Sequence, residues 1–185
     1  MDLATKDLRH RLKRFLFWFA LLTLVMSGII LYTLMHTGIS FFSISGNSME
    51  PTLNNGDSVI LKQEDTLRHN QIIFFNKPSS WSEYVDRNAT LVKRVVAIPG
   101  DTLTYDGETF KVNNEIVYKL SDDNYECESG EIGYEHILTN TEVFATGDNA
   151  NDSLDSRRIF CDGNSKDMYI PKFYVIDYGH IVKQF

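Results

Sequence analysis

Leu91-Val92-Lys93-Arg94-Val95-Val96-Ala97-Ile98-Pro99-Gly100-Asp101 is the most strongly strand-forming run in the chain. Branched apolar side chains suit a pleated surface, and Pro-Gly-Asp supplies the turn residues that end it. Alternation puts Lys93 on one face with Leu91, Val95 and Ala97, and Arg94 on the other with Val92, Val96 and Ile98. Both faces are apolar, so alternation alone does not choose the buried one. A buried Lys93 would lose pKa, because burial disfavours the ammonium, and would become a usable base near neutral pH. An exposed Lys93 would be an edge-strand charge or half of an ion pair.

Outward from this run the chain reads as strands and turns. Before it lie a turn at Asn54-Asn55-Gly56-Asp57, a strand over Ser58–Leu61, and a strand over Gln71–Phe75 stopped by Asn76, Lys77 and Pro78. Residues 79–90 read as an exposed loop, although they contain Trp81, Tyr84, Val85 and Ala89. After it come a hairpin of Thr102–Tyr105 and Phe110–Val112 about Asp106-Gly107, then Asn113-Asn114 and a strand over Ile116–Leu120. Residues 121–136 are acidic and weakly periodic, and are expected to form a surface excursion. Glu142–Thr146 returns as a strand, and the tail from Tyr169 to Phe185 holds one or two more. The expectation is a mainly β domain hung on one helix.

That helix is the run Phe15–Met35, which carries no charge and has Trp18 and Tyr32 towards its ends. At about 1.5 Å per residue it spans the roughly 30 Å hydrocarbon core of a bilayer. Lys6, Arg9, Arg11, Lys13 and Arg14 precede it, so the positive-inside rule places residues 1–14 in the cytoplasm and everything after the span outside. The expected organisation is a basic cytoplasmic N-terminus over 1–14, a transmembrane helix over 15–36 and an extracytoplasmic β-rich domain over 37–185. A cleaved signal would have a shorter apolar centre and a clear small-x-small site, and a core helix would show a polar face. Ile39, Phe41, Phe42 and Ile44 follow closely, and either pack on the domain or dip among lipid headgroups.

A net charge of −7 argues against nucleic acid as a partner. There is no C-x-x-C and the five histidines are scattered, so neither a metal nor a cofactor is expected. Cys127 and Cys161 both fall in the segment assigned to the exterior, where they form a disulfide or remain two buried thiols.

Ser45-Gly46-Asn47-Ser48-Met49-Glu50-Pro51-Thr52-Leu53 sets a serine on a bent segment between Gly46, which permits unusual backbone angles, and Pro51, which fixes one. A serine hydroxyl attacks a carbonyl only when a base takes its proton, and Lys93 is a candidate for that base. A third segment, Gly147-Asp148-Asn149 through Ser153, Asp155 and Arg157, reads by itself as a polar loop with Asx-turns. Its carboxylate and guanidinium can also pair and hold a neighbouring hydroxyl.

Taken in order, the anchor, the Ser48 segment, Leu91–Asp101 and Gly147–Arg157 closely resemble the type I signal peptidases, membrane-anchored serine proteases with a Ser–Lys dyad. The resemblance implies a coiled antiparallel β-sheet catalytic domain on a single transmembrane helix, in the cytoplasmic (inner) membrane. It implies Ser48 as nucleophile and Lys93 as general base. Ser153 would orient the lysine, with Asp155 and Arg157 as a supporting pair and the backbone N–H at Ser48 in the oxyanion hole. The implied partners are membrane lipid and secretory precursors, whose signal peptides are removed at the outer face.

Two departures stand out. Some family members have a serine donor two residues before the nucleophile, where this chain has Gly46. The family usually reaches a glycine soon after the arginine, whereas Arg158-Ile159-Phe160-Cys161-Asp162 intervenes here before Gly163. Substrate-binding residues are not readable. Three other readings stand beside the first: a relative specialised for one precursor such as a conjugative pilin, a self-cleaving Ser–Lys regulator, and a non-enzymatic anchored binding protein in which Ser48 is a turn residue.

Overall fold

The computed structural model describes residues 3–36, 38–81, 89–120 and 126–185. The chain divides into two compact units, Met1–Ile39 and Ser40–Phe185. The first is a single helix, α1 (Leu3–His36). Its segment His10–Thr33 has a mean hydropathy of 2.2 and is long and apolar enough to cross a membrane. Phe15, Phe17, Trp18, Leu24 and Tyr32 are all more than half exposed. Three hydroxyls of the apolar segment are satisfied within the helix: Thr23, Ser27 and Thr33 donate to the carbonyls of Ala20, Leu24 and Ile30 at 2.8–2.9 Å. Lipid offers no hydrogen-bond partners, so a spanning helix needs that internal pairing.

The second unit is built from β1 (Ile39–Ser43), β2 (Ser58–Gln63), β3 (Ile72–Asn76), β4 (Thr90–Ala97), β5 (Thr102–Tyr105), β6 (Thr109–Val112), β7 (Glu115–Lys119), β8 (Tyr134–Ile137), β9 (Glu142–Thr146), α2 (Ser156–Cys161), β10 (Ile170–Pro171) and β11 (Val175–Gln184). The larger sheet has the order β1-β2-β11-β3-β4-β9-β10 and the smaller one β7-β6-β5-β8. The ladders of β4 with β3 and β9, and of β11 with β2 and β3, are antiparallel. So are those joining β5 to β6 and β8. The expected antiparallel, mainly β fold is the observed one.

Strand β3 separates two cores. Ile73 and Phe75 face one cluster with Val95, Ala97, Leu103, Phe110, Phe144 and Phe160. Ile72 and Phe74 face the other with Ile44, Met49, Leu53, Val59 and Leu61. The period-2 reversal explains how one strand serves both, and why its sequence is apolar at four consecutive positions. The face of β4 that carries Lys93 is the buried one, together with Val95 and Ala97. Asp101 in the Pro-Gly-Asp turn accepts hydrogen bonds from the Ile98 N–H at 2.8 Å and from Asn113 Nδ2 at 2.8 Å. That locks the exit of β4 to the hairpin that follows.

Three segments differ from the expectations. Within 79–90, Ser79–Trp81 forms a short 3-10 turn, and Trp81 is fully buried against Phe75, its indole N–H donating to the Asp167 carbonyl at 2.7 Å. A few scattered apolar residues in a polar run are too weak a pattern to show this. Residues 82–88 lie outside the described residues. The excursion expected over 121–136 ends in β8, which pairs with β5, while 121–125 lie outside the described residues. The polar loop after Gly147 turns into α2, which was not anticipated; its N-terminus is capped by Asp155, whose carboxylate accepts from the N–H groups of Arg157 and Arg158. A disulfide joins Cys127 to Cys161 at the other end of α2. Phe160 between them packs against Tyr105, Phe110 and Tyr134, so the helix is fastened by both a crosslink and an aromatic cluster.

Candidate active site

Ser48 sits in the turn that follows β1. Gly46 adopts φ +92°, a left-handed conformation that side chains disfavour, and its N–H donates to Asn55 Oδ1 at 3.0 Å. Beyond Ser48 the chain closes a helical turn, with the Leu53 N–H bonded to the Met49 carbonyl at 2.9 Å. Met49 and Leu53 both plug into the second core. The apolar members of the Ser48 segment therefore anchor it, leaving the serine half-buried at the surface of a cleft.

Lys93 reaches that serine from β4. Its Nζ is hydrogen-bonded to Ser48 Oγ at 2.7 Å and donates to the Val92 carbonyl at 3.0 Å. The side chain is 2% exposed, and among the described residues no carboxylate lies within ion-pair distance of it. Burial pulls its pKa down to about 8; the field of Asp155 opposes this and that of Arg157 assists it. The cleft in front of the pair, about 230 Å³, is walled by Phe42, Phe74, Leu91, Val92 and Ile176. Phe42 and Phe74 stack with ring centroids 3.6 Å apart.

The other three residues expected at the site take different parts. Asp155 and Arg157 form a buried pair, with Nη2 to Oδ2 at 2.6 Å and Nε to Oδ1 at 3.3 Å. Burial alone would raise the Asp155 pKa, and Arg157 outweighs it so that the carboxyl stays below its usual range. Together they clamp Gly147: its N–H donates to Asp155 Oδ2 at 2.8 Å and its carbonyl accepts from Arg157 Nη2 at 2.7 Å. The guanidinium also lies over the Tyr118 ring, 4.3 Å from its centroid. Ser153 Oγ is shut off from solvent and lies beside Gly147, and its hydroxyl helps to hold the Asp155 carboxyl below its usual range. It is not bonded to Lys93 in this arrangement.

Gly147 is squeezed between the two halves of the site. A Cβ there would collide with Ser153 Oγ and with the Ser48 carbonyl oxygen. Next to it, the Asn149 N–H donates to the Ser48 carbonyl at 3.1 Å and Asn149 Nδ2 to the Asn47 carbonyl at 3.2 Å. The Gly-Asp-Asn segment thus docks directly on the serine turn.

A second ion pair escaped the sequence reading. Arg94 binds Asp148 through Nε to Oδ1 at 2.8 Å and Nη2 to Oδ2 at 2.6 Å. It also donates to the Asn70 carbonyl at 3.0 Å and to Thr52 Oγ1 at 3.3 Å. Hydrogen bonding to Asp148 raises the Arg94 pKa against the effect of burial. Alternation already aimed Arg94 away from Lys93, but nothing in the local pattern named its partner 54 residues on. Among the described residues there is no His, Cys, Asp and Glu grouping suited to a metal ion.

Comparison with known proteins gives this arrangement a context. A family model described as "Signal peptidase, peptidase S26" matches residues 15–175. The chain is 25% identical over 162 residues to signal peptidase I U of Bacillus subtilis (strain 168), which is 82% of this chain and 83% of that protein. Over 107 residues it is 26% identical to signal peptidase IB of Staphylococcus aureus (strain Mu50), covering 56% of this chain and 51%, about half, of the relative. A crystal structure of a signal peptidase I from Enterococcus faecalis V583 aligns with 61% of this chain and 96% of that one, at 19% identity and a TM-score of 0.41. With the family model running from within α1 to the first residue of β11, through both segments that meet at the cleft, the chain belongs to the signal peptidase family, peptidase S26.

Proposed function

We propose that this signal peptidase cleaves secretory precursors by Ser–Lys chemistry, with Ser48 as nucleophile and Lys93 as general base. The observation that carries the reading is the 2.7 Å approach of a buried amine, its pKa near 8, to a hydroxyl at the mouth of an apolar cleft. A neutral amine accepts the Ser48 proton as Oγ attacks the scissile carbonyl carbon. The ammonium so formed then protonates the departing amine, leaving an acyl ester on Ser48. In the second half Lys93 takes a proton from water, the hydroxide displaces Ser48 from the ester, and the ammonium returns its proton to Oγ.

The precursor's place is suggested by strand pairing. β9 pairs with β4 only from Arg94 onward, and among the described residues no strand takes the edge of Thr90–Lys93 on that side, where an extended peptide could add. The backbone N–H of Ser48 is the proposed oxyanion donor. With Gly46 two residues before it, no side-chain donor is supplied there. Ser153, beside Gly147, is the proposed acceptor or donor for Lys93 once the amine swings between Ser48 and the leaving group. In the proposed orientation residues 1–14 are cytoplasmic, 15–36 span the bilayer, and the exposed Ile39 and Phe41 of β1 meet lipid on the outer side.

Cleavage of a secretory precursor by the full chain in detergent or vesicles tests this. Ser48→Ala and Lys93→Ala are each expected to abolish cleavage while leaving the fold intact. Near-normal cleavage by either would exclude the dyad. The rate is expected to climb with pH through about 8, as Lys93 loses its proton; a rate that stays flat into acid would exclude lysine as the base.

A further inference from the structure

Asn149 stands just before a one-turn 3-10 helix, Ala150–Asp152, where an asparagine side chain ordinarily caps the helix by accepting from one of its N–H groups. Here it makes no such bond. The side chain reaches across to the serine turn instead, and Nδ2 donates to the Asn47 carbonyl at 3.2 Å. Its backbone N–H donates to the Ser48 carbonyl at 3.1 Å. One residue therefore holds the carbonyls on both sides of Ser48, from a loop 102 positions further along the chain.

The contact to Asn47 bears on the chemistry. The Asn47 carbonyl and the Ser48 N–H belong to one peptide unit, which is planar and trans, so the two groups point in opposite directions. Fixing the carbonyl fixes the aim of the N–H. The Glu50 N–H donates to the same carbonyl at 3.1 Å and closes the turn from within, while Asn149 supplies a second bond from outside it. The Ser48 N–H itself makes no hydrogen bond among the described residues. Bonds accepted by a peptide carbonyl also polarise the unit and make its N–H a better donor. With Gly46 in place of a hydroxyl donor, more depends on how this one peptide is turned.

Resting on the Ser48 peptidase reading, we infer that Asn149 is a positioning residue, whose side-chain amide aims the Ser48 N–H at the oxyanion formed during acyl transfer. The bond from Nδ2 lies at the surface, where water competes for both partners, so its removal costs less than removing an oxyanion donor outright.

The test uses the full chain in detergent with a precursor and a matching peptide aldehyde. The aldehyde carbon adds reversibly to Ser48 Oγ, and its oxygen then sits where the oxyanion forms. Asn149→Ala removes the amide, and Asn149→Leu removes it while keeping the size of the side chain; neither touches the backbone bond to the Ser48 carbonyl. Each should lower kcat about tenfold, leave KM nearly unchanged and weaken the aldehyde by a similar factor. The midpoint of the pH–rate profile should stay near 8, because Lys93 is untouched. An unchanged kcat in both variants overturns the inference. So does a lower kcat with the midpoint moved or the aldehyde bound as tightly as before, since Asn149 would then serve the contact between Ser48 and Lys93. A fall in kcat that tracks loss of folded protein in thermal melts of both variants overturns it as well. Each of these results leaves Ser48-dependent cleavage, and with it the peptidase reading, standing. A chain whose cleavage survives Ser48→Ala overturns both.

Discussion

Lys93 and Arg94 are neighbours on one strand, and the two faces of β4 treat them in opposite ways. On one face Lys93 is buried among apolar groups with no carboxylate in ion-pair range among the described residues, and its pKa falls to about 8. On the other, Arg94 holds a bidentate carboxylate and its pKa rises. The first face keeps a cation on the edge of neutrality, as the proposed base requires; the second keeps a cation fully charged, as a clamp must be. The residue types match: an ammonium shifts readily on burial, whereas a guanidinium stays protonated and offers a planar fork. What the contrast teaches is that, in the proposed mechanism, reactivity comes from withholding a counter-ion, and order comes from supplying one.

The strongest way to break the comparison is to make the faces alike. Lys93→Arg should lower kcat/KM by at least about a thousandfold, a loss of about 4 kcal/mol in transition-state stabilisation, since a guanidinium does not accept the Ser48 proton. Cleavage retained by this variant would mean that the buried cation is not the base.

Stability should respond in the reverse sense. A lysine held near 8 in the fold and near 10.5 when unfolded binds its proton less tightly in the folded state. The unfolded chain then carries more protons between those values, so stability should rise with pH from about 8 to about 10.5 and be flat below, as far as this group is concerned. The penalty below pH 8 is about 3 kcal/mol. Lys93→Met, which keeps the stem and removes the amine, should therefore be inactive yet more stable near neutral pH by up to that amount, and should lose the upward slope. Denaturant melts at pH 7 and 10 measure it; a destabilised Lys93→Met protein would show that the amine is better solvated than its burial implies.

A smaller effect is expected where the two faces are joined. Gly147 is gripped by Asp155 and Arg157 and touches both Ser153 and the Ser48 carbonyl, with no room for a Cβ. Gly147→Ala should push the serine turn away from Lys93 and lower kcat about a hundredfold, since small misplacements of reacting groups are costly. A variant with unchanged kcat would show that the turn accommodates the methyl without moving.

These residues were unequally legible beforehand. The β4 strand and the hairpin after it are visible as alternation and turn chemistry, which are local properties of the chain. Ser48 and Lys93 emerged from residue type together with the ordered resemblance, because a glycine-flanked serine or a lysine in a strand means little alone. The side of β4 that is buried, the Arg94–Asp148 pairing and the burial of Trp81 were hidden, since each depends on which distant segment packs against it. α2 was hidden for a different reason. Its six residues are too few to show helical periodicity, and it is held by the Asp155 cap, the Cys127–Cys161 disulfide and the packing of Phe160.

Arg94 offers the finest probe of the comparison. Its guanidinium ties Asp148, the Asn70 carbonyl and Thr52 together, and Thr52 belongs to the segment that carries Ser48. Lysine at this position would keep the charge but reach fewer of those partners, and an ammonium cannot make the two parallel bonds to Asp148. The site is partly exposed, so solvent softens the loss: Arg94→Lys should cost about 1 kcal/mol of stability and lower kcat about tenfold with little change in KM. Asp148→Asn should give the same direction by removing the charge from the other side, and the double variant should cost less than the two singles added, because the second change finds the pair already broken. Strict additivity would mean that Arg94 and Asp148 act separately, and the second face of β4 would then owe its order to something other than this ion pair.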